Sequence, residues 1–172
     1  ILAVFESEHL LTPADVRGDY ATLREAILSE GWPTLEAAAG LVYFGFDNGG
    51  AVMEMYLALH PELSSQILFT SSAADADRAG FTKRNDPYSA DIPELVELGY
   101  LVRTRADFDT VQSVENDPSQ RDQAFESGAH FVSTDYRVAD WDNSEYSVGF
   151  EDDSAVRCNI VNPPTACTLG LP

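Results

Sequence analysis

Residues 99–107, Gly99-Tyr100-Leu101-Val102-Arg103-Thr104-Arg105-Ala106-Asp107, decide how this chain folds. A helical stretch closes at Gly99, and a run of aromatic and aliphatic residues begins at once. The same order recurs where Gly40 leads into Leu41-Val42-Tyr43-Phe44 and where Gly128 leads into Ala129-His130-Phe131. Glycine tolerates the left-handed backbone that stops a helix, so each is a short helix-to-strand joint. Repeated along a chain, such joints mean βα units and a parallel sheet.

Working outward, the strands are expected at Ile1–Phe5, Leu41–Phe46, Ile67–Thr70, Tyr100–Arg103 and His130–Ser133. Their apolar runs suit strands covered on both faces. The helices between them are punctuated as helices usually are. Asp19 is read as a cap for Tyr20–Glu30, and Thr34 for a short helix through Ala39. Asp91 precedes a helix with Pro93 in its first turn, and Asp117-Pro118 opens another through Ser127. Asn48-Gly49-Gly50 is a glycine turn opening a further helix. After Asp135 the pattern changes, and Tyr146–Phe150 with Ala155–Cys158 reads as a terminal hairpin.

The chain has 172 residues, with 29 acidic side chains against 10 Lys and Arg, a formal charge of -19. That length suits one domain, and 44% apolar content permits a real core. The acidic balance excludes a nucleic-acid binder, which needs a basic face. No apolar run approaches the ~20 residues that span a bilayer. Cys158 and Cys167 flank a turn-rich segment with no neighbouring His or Cys for a metal site. They read either as a disulfide of a secreted protein or as two free thiols in a reducing compartment.

Five parallel strands allow a doubly wound sheet of flavodoxin type or part of a (β/α)₈ barrel. In both, ligands bind at the carboxyl ends of the strands, and those ends are polar here. The first reads Glu6-Ser7-Glu8-His9, the second Asp47-Asn48, the third Thr70-Ser71-Ser72. The others read Arg103-Thr104-Arg105-Ala106-Asp107 and Ser133-Thr134-Asp135-Tyr136. Side chains two apart in a strand share a face, which pairs Glu6 with Glu8 and Arg103 with Arg105. The glutamates suit a hard cation such as Ca²⁺, and the arginines suit a phosphate. Alternatively the two pairs neutralise one another in an ion network with Asp47, Asp107 and Asp135. Of the three histidines, His60 reads as a surface residue, His130 as structural, and His9 alone lies near a strand end.

Several spaced segments resemble a known family. They are Gly80-Phe81-Thr82-Lys83-Arg84-Asn85-Asp86-Pro87, the 99–107 stretch with Asp109-Thr110, and Ser127 through Tyr136. Ala155-Val156-Arg157-Cys158-Asn159, Asn162-Pro163-Pro164, Asp15 through Tyr20 and Gly31-Trp32-Pro33-Thr34-Leu35 belong to the same set. In this order they resemble the bacterial calcium-dependent phosphoinositide phospholipase C-like family.

The resemblance implies the C-terminal part of a (β/α)₈ TIM-type barrel, an α/β fold of about five parallel strands plus a C-terminal hairpin. Residues 1–140 would be the partial barrel, and 141–172 the hairpin and disulfide loop of the same domain. It implies a secreted phosphodiesterase acting on a phosphodiester small molecule or lipid head group. Its catalytic histidine pair would lie upstream, on a missing N-terminal barrel segment or a companion chain, with no catalytic residue in this chain. Ca²⁺ is the implied cofactor, with Glu6 and Glu8 as metal candidates; the family often has Lys where Glu8 stands. Arg103, Arg105, Asp107, Asp135 and Tyr136 become the substrate-side candidates. The alternative from another class is a stand-alone flavodoxin-type anion-binding domain without activity.

Overall fold

The computed structural model describes residues 1–139, 144–150, 154–163 and 167. The chain divides into two compact units: Ile1–Lys83 with Leu98–Tyr100, and Arg84–Glu97 with Leu101–Pro172.

In the first unit, strand β1 (Leu10–Leu11) is followed by helices α1 (Pro13–Arg17) and α2 (Leu23–Ser29). Strands β2 (Val42–Tyr43) and β3 (Gly45–Phe46) come next, then helix α3 (Gly50–Leu59) and strands β4 (Phe69–Thr70) and β5 (Phe81–Lys83). Every pairing in this unit is parallel: Leu10 with Val42, Gly45 with Phe69, and a bridge from Ser71 to Phe81. The core holds Leu23, Ile27, Phe69 and Tyr100. The Phe69 ring lies 4.8 Å from that of Tyr43 and 5.1 Å from that of Trp32. A Cβ on Gly80 would meet Leu23 Cδ2 at 3.3 Å, so any larger residue would have to push that side chain aside by a few tenths of an ångström.

Three expectations fail at this end. Ile1–Phe5 is a turn, with the N–H groups of Val4 and Phe5 both donating to the Ile1 carbonyl, and Leu2 and Val4 are exposed. The strand is Leu10–Leu11, because that pair finds a partner in Val42–Tyr43 and is buried by it. The expected helix from Thr34 is a turn, although Thr34 Oγ1 does accept the Ala37 N–H at 3.2 Å. Residues 35–37 are exposed, so no packing carries that first turn onward into a helix. Helix α2 begins three residues later than expected, and its cap is Thr22, whose Oγ1 accepts the Glu25 N–H at 3.0 Å. Helix α1, unanticipated, has a full capping box between Thr12 and Asp15.

In the second unit, helix α4 (Ile92–Glu97) precedes strand β6 (Leu101–Arg105), helices α5 (Val111–Glu115) and α6 (Ser119–Glu126), and strand β7 (Phe131–Ser133). Strands β6 and β7 are parallel, with Arg103 opposite Phe131 and Arg105 opposite Ser133. Gly40, Gly99 and Gly128, the three joint glycines, have φ of 82°, 87° and 79°. The parallel α/β character read from those joints is therefore present.

The expected hairpin is absent from the described residues. Residues 146–150 and 154–158 form no strand there, and residues 151–153 of the connecting turn lie outside them. Tyr146 and Val148 pack instead on Ala106 and Ala124, and the Val148 N–H donates to the Tyr136 carbonyl at 2.8 Å. Docking two buried side chains outcompetes an exposed two-stranded ribbon, which is marginal alone. Cys158 and Cys167 form a disulfide. Its loop is anchored by Asn159, whose Nδ2 donates to the Gly128 carbonyl at 2.7 Å. Residues 164–166 of that loop lie outside the described residues. A Cβ on Gly128 would overlap Val161, so this contact also requires glycine.

Candidate active site

Strand β6 sorts its side chains by alternation. Val102 and Thr104 are fully buried, while Arg103 and Arg105 share the other, partly open face. The parallel register sets Phe131 and Ser133 beside them on β7. Arg103 Nη1 donates to Asn85 Oδ1 at 2.6 Å. The Arg105 guanidinium stands over the Phe108 ring, 5.3 Å from its centre. Among the described residues no carboxylate pairs with Arg105.

Asp107 follows β6 and is 1% exposed. Its Oδ2 accepts the Thr134 hydroxyl at 2.5 Å, and its Oδ1 accepts the Asp135 backbone N–H at 3.2 Å. Thr134 Oγ1 in turn accepts the Tyr136 N–H at 2.8 Å. Asp135 itself is exposed. The Tyr136 hydroxyl donates to the Asp109 carbonyl at 3.1 Å, and its ring meets Tyr146 edge-on at 5.6 Å.

Tyr146 and Thr134 carry more of this arrangement than their sequence positions suggested. The Tyr146 hydroxyl donates to the Ala106 carbonyl at 3.0 Å. Burial, reinforced by the negative charge of Asp107, pushes that phenol well above the usual tyrosine range. Its only sequence signal was the alternation Tyr146-Ser147-Val148, which reads equally well as a strand. His130, at the opposite end of β7, accepts the Val102 N–H on Nδ1 at 3.2 Å. Burial lowers its basicity, so its role is structural, and it supplies no acid or base at the carboxyl ends.

In the first unit, Glu6 and Glu8 are exposed on a 3₁₀ turn, Ser7–His9, not at a strand end. The shared strand face expected for them does not exist, because the strand begins only at Leu10. The carboxyl ends of β3 and β5 bring Asp47 and Lys83 together, with Nζ 3.2 Å from Oδ1. Ser71 Oγ accepts the Lys83 N–H at 3.0 Å. Lys83 carries no local sequence signal for this contact, because its partner Asp47 lies 36 residues earlier. Among the described residues, no three His, Cys, Asp or Glu gather closely enough to hold a metal ion. No helix among them is long and apolar enough to cross a membrane.

The second unit thus offers guanidinium groups for an anion and an exposed carboxylate for hydroxyl groups, on backbone tied down by hydrogen bonds. The model of a family described as Ca²⁺-dependent phosphoinositide phospholipase C matches residues 1–160. A solved structure titled as a Ca²⁺-dependent phosphatidylinositol-specific phospholipase C enzyme from Streptomyces antibioticus superposes with a TM-score of 0.51. The two share 16% sequence identity, and the match covers 76% of this chain and 54% of that one. This likeness is one of fold, and the chain spans about half the length of that enzyme. No curated protein matches the chain.

Proposed function

Because this chain belongs to the Ca²⁺-dependent phosphoinositide phospholipase C family, we propose that it forms the C-terminal part of a (β/α)₈ barrel in a secreted phosphodiesterase. The substrate class is a phosphoinositide or related polyol phosphate, and the histidines that perform acid–base chemistry lie upstream of residue 1. The flavodoxin-type alternative is not favoured, since both matches point to phospholipase C.

The observation that carries this reading is Arg105, which shares a strand face with Arg103 and has no carboxylate partner among the described residues. A guanidinium left available in this way can grip phosphate oxygens in bidentate fashion. Phe108 beneath it restricts its rotation, which reduces the entropy lost on binding. Asp135 would accept hydroxyls of a polyol ring, and the half-buried Tyr136 would wall that ring. Asp107 supports both from below. The disulfide between Cys158 and Cys167 supports the secreted setting.

The family depends on Ca²⁺. That ion takes 6–8 oxygen ligands. The described residues do not fit such a site by themselves, since no three acidic groups converge. Glu6 and Glu8, exposed at the 3₁₀ turn, are the candidate carboxylates of this chain, and the remaining ligands would come from outside the described residues.

The test uses the full-length protein with phosphatidylinositol in phosphatidylcholine vesicles, with Ca²⁺ present or chelated. Release of the head group is expected with Ca²⁺, with Arg105→Ala raising KM about tenfold or more. No cleavage by the native protein, or an Arg105→Ala variant with native KM, would overturn the reading.

A further inference from the structure

We propose that Asp107 is a positioning residue, which sets the geometry of the segment after β7 and makes no contact with substrate. The inference rests on the proposed function of this site and assigns its internal division of labour. Asp107 is 1% exposed, so a ligand cannot reach its carboxylate without rearrangement. Both of its oxygens are turned onto that segment: Oδ2 receives the Thr134 hydroxyl, and Oδ1 receives the Asp135 N–H. Thr134 relays the tie one residue further, accepting the Tyr136 N–H on the same oxygen that donates to Asp107. One carboxylate therefore orders three successive residues lying 27 and more positions along the chain.

Burying a carboxylate without a cation is costly unless donors satisfy it. Among the described residues Asp107 has no ion-pair partner, only these donors. An apolar residue would fill the space at lower cost, so what the carboxylate supplies is direction. It holds the Asp135 backbone while leaving the Asp135 side chain exposed to accept polyol hydroxyls. Fixing that backbone before binding reduces the ordering that substrate must bring about, which favours binding rather than bond cleavage. Thr134, which the sequence did not single out, extends the tie from Asp107 to Tyr136.

The experiment uses the full-length protein, phosphatidylinositol in phosphatidylcholine vesicles, and the variants Thr134→Val, Thr134→Ser, Asp135→Asn and the Thr134→Val/Asp135→Asn double. Thr134→Val removes the relay while preserving shape, so it avoids the folding risk of Asp107→Ala. We expect Thr134→Val to raise KM about tenfold with kcat altered less than twofold, and Thr134→Ser to restore KM. The double variant should raise KM beyond Asp135→Asn alone, because Thr134→Val frees Tyr136 while Asp135→Asn removes the charged acceptor. Amide exchange at Tyr136 should accelerate in Thr134→Val. If Asp135→Asn raises KM but Thr134→Val does not, the positioning role is overturned while the substrate site stands. A lowered melting temperature with native KM in Thr134→Val also overturns it. If neither Arg105→Ala nor Asp135→Asn changes KM, the functional reading falls and the positioning role falls with it.

Discussion

His130 Nδ1 accepts the backbone N–H of Val102 at 3.2 Å, so a histidine at the start of β7 completes the backbone hydrogen bonding of β6. The contact requires the neutral ring, and burial already favours that form by lowering the imidazole pKa. An unfolded histidine titrates near 6.5. The depressed native value means that the unfolded chain binds more protons just below that pH. The stabilisation is complete above about pH 6.5 and declines as pH falls through it toward the lower native value. Urea denaturation at pH 7.5 and 5.0 should show native protein losing more stability than His130→Asn, which keeps an acceptor but does not titrate. Equal losses would remove His130 from the acid response.

Tyr146 should be a stability residue of the second unit. Its hydroxyl is the partner of the buried Ala106 carbonyl, so Tyr146→Phe is expected to cost about 1–3 kcal/mol. Tyr146→Ala should cost about 3–5 kcal/mol by opening a cavity among Ala106, Ala124 and Val148. Its phenol, pushed up by burial, should titrate late in an ultraviolet pH titration together with that of Tyr43, and Tyr146→Phe should reduce the late amplitude. A Tyr146→Phe variant of native stability would show that the hydrogen bond contributes nothing net.

The disulfide sets a third expectation. The denatured, unreduced protein should show no reactive thiol from Cys158 or Cys167. Reduction should lower stability by about 2–4 kcal/mol, the usual range for closing a short loop. The loss should be felt as faster exchange of the Asn159 side-chain amide, which donates to the Gly128 carbonyl. Two titratable thiols in the native preparation would contradict the pairing.

Calcium binding to the full-length protein tests the carboxylates of the 3₁₀ turn. Calorimetry should show Glu6→Gln weakening Ca²⁺ affinity about tenfold, the effect of removing one charged oxygen ligand. Glu8→Gln should weaken it less if Glu8 acts only through its charge. Native affinity in both variants would place the ion on other ligands.

Local chemistry made much of this fold legible. The three joint glycines, Gly99 and Gly128 after helices and Gly40 after a turn, adopt the positive φ that only their lack of a side chain makes inexpensive. Strand positions at 101–105 and 131–133 follow from short apolar runs beside those glycines. Pairing and docking are different, because they depend on partners remote in sequence. Ile1–Phe5 and Leu10–Leu11 are both apolar, and only the presence of Val42–Tyr43 beside the second pair makes it the strand. The Tyr146 segment looks like a strand until its side chains find Ala106, 40 residues earlier. The site divides in the same way. Arginines two apart on β6 were visible as one face from alternation alone. That Asp107 is buried, and that it holds Thr134 and Asp135, required β6 and β7 to lie side by side. Hydrogen-bond direction and burial are properties of neighbours in space, and a chain read residue by residue carries only its neighbours in sequence.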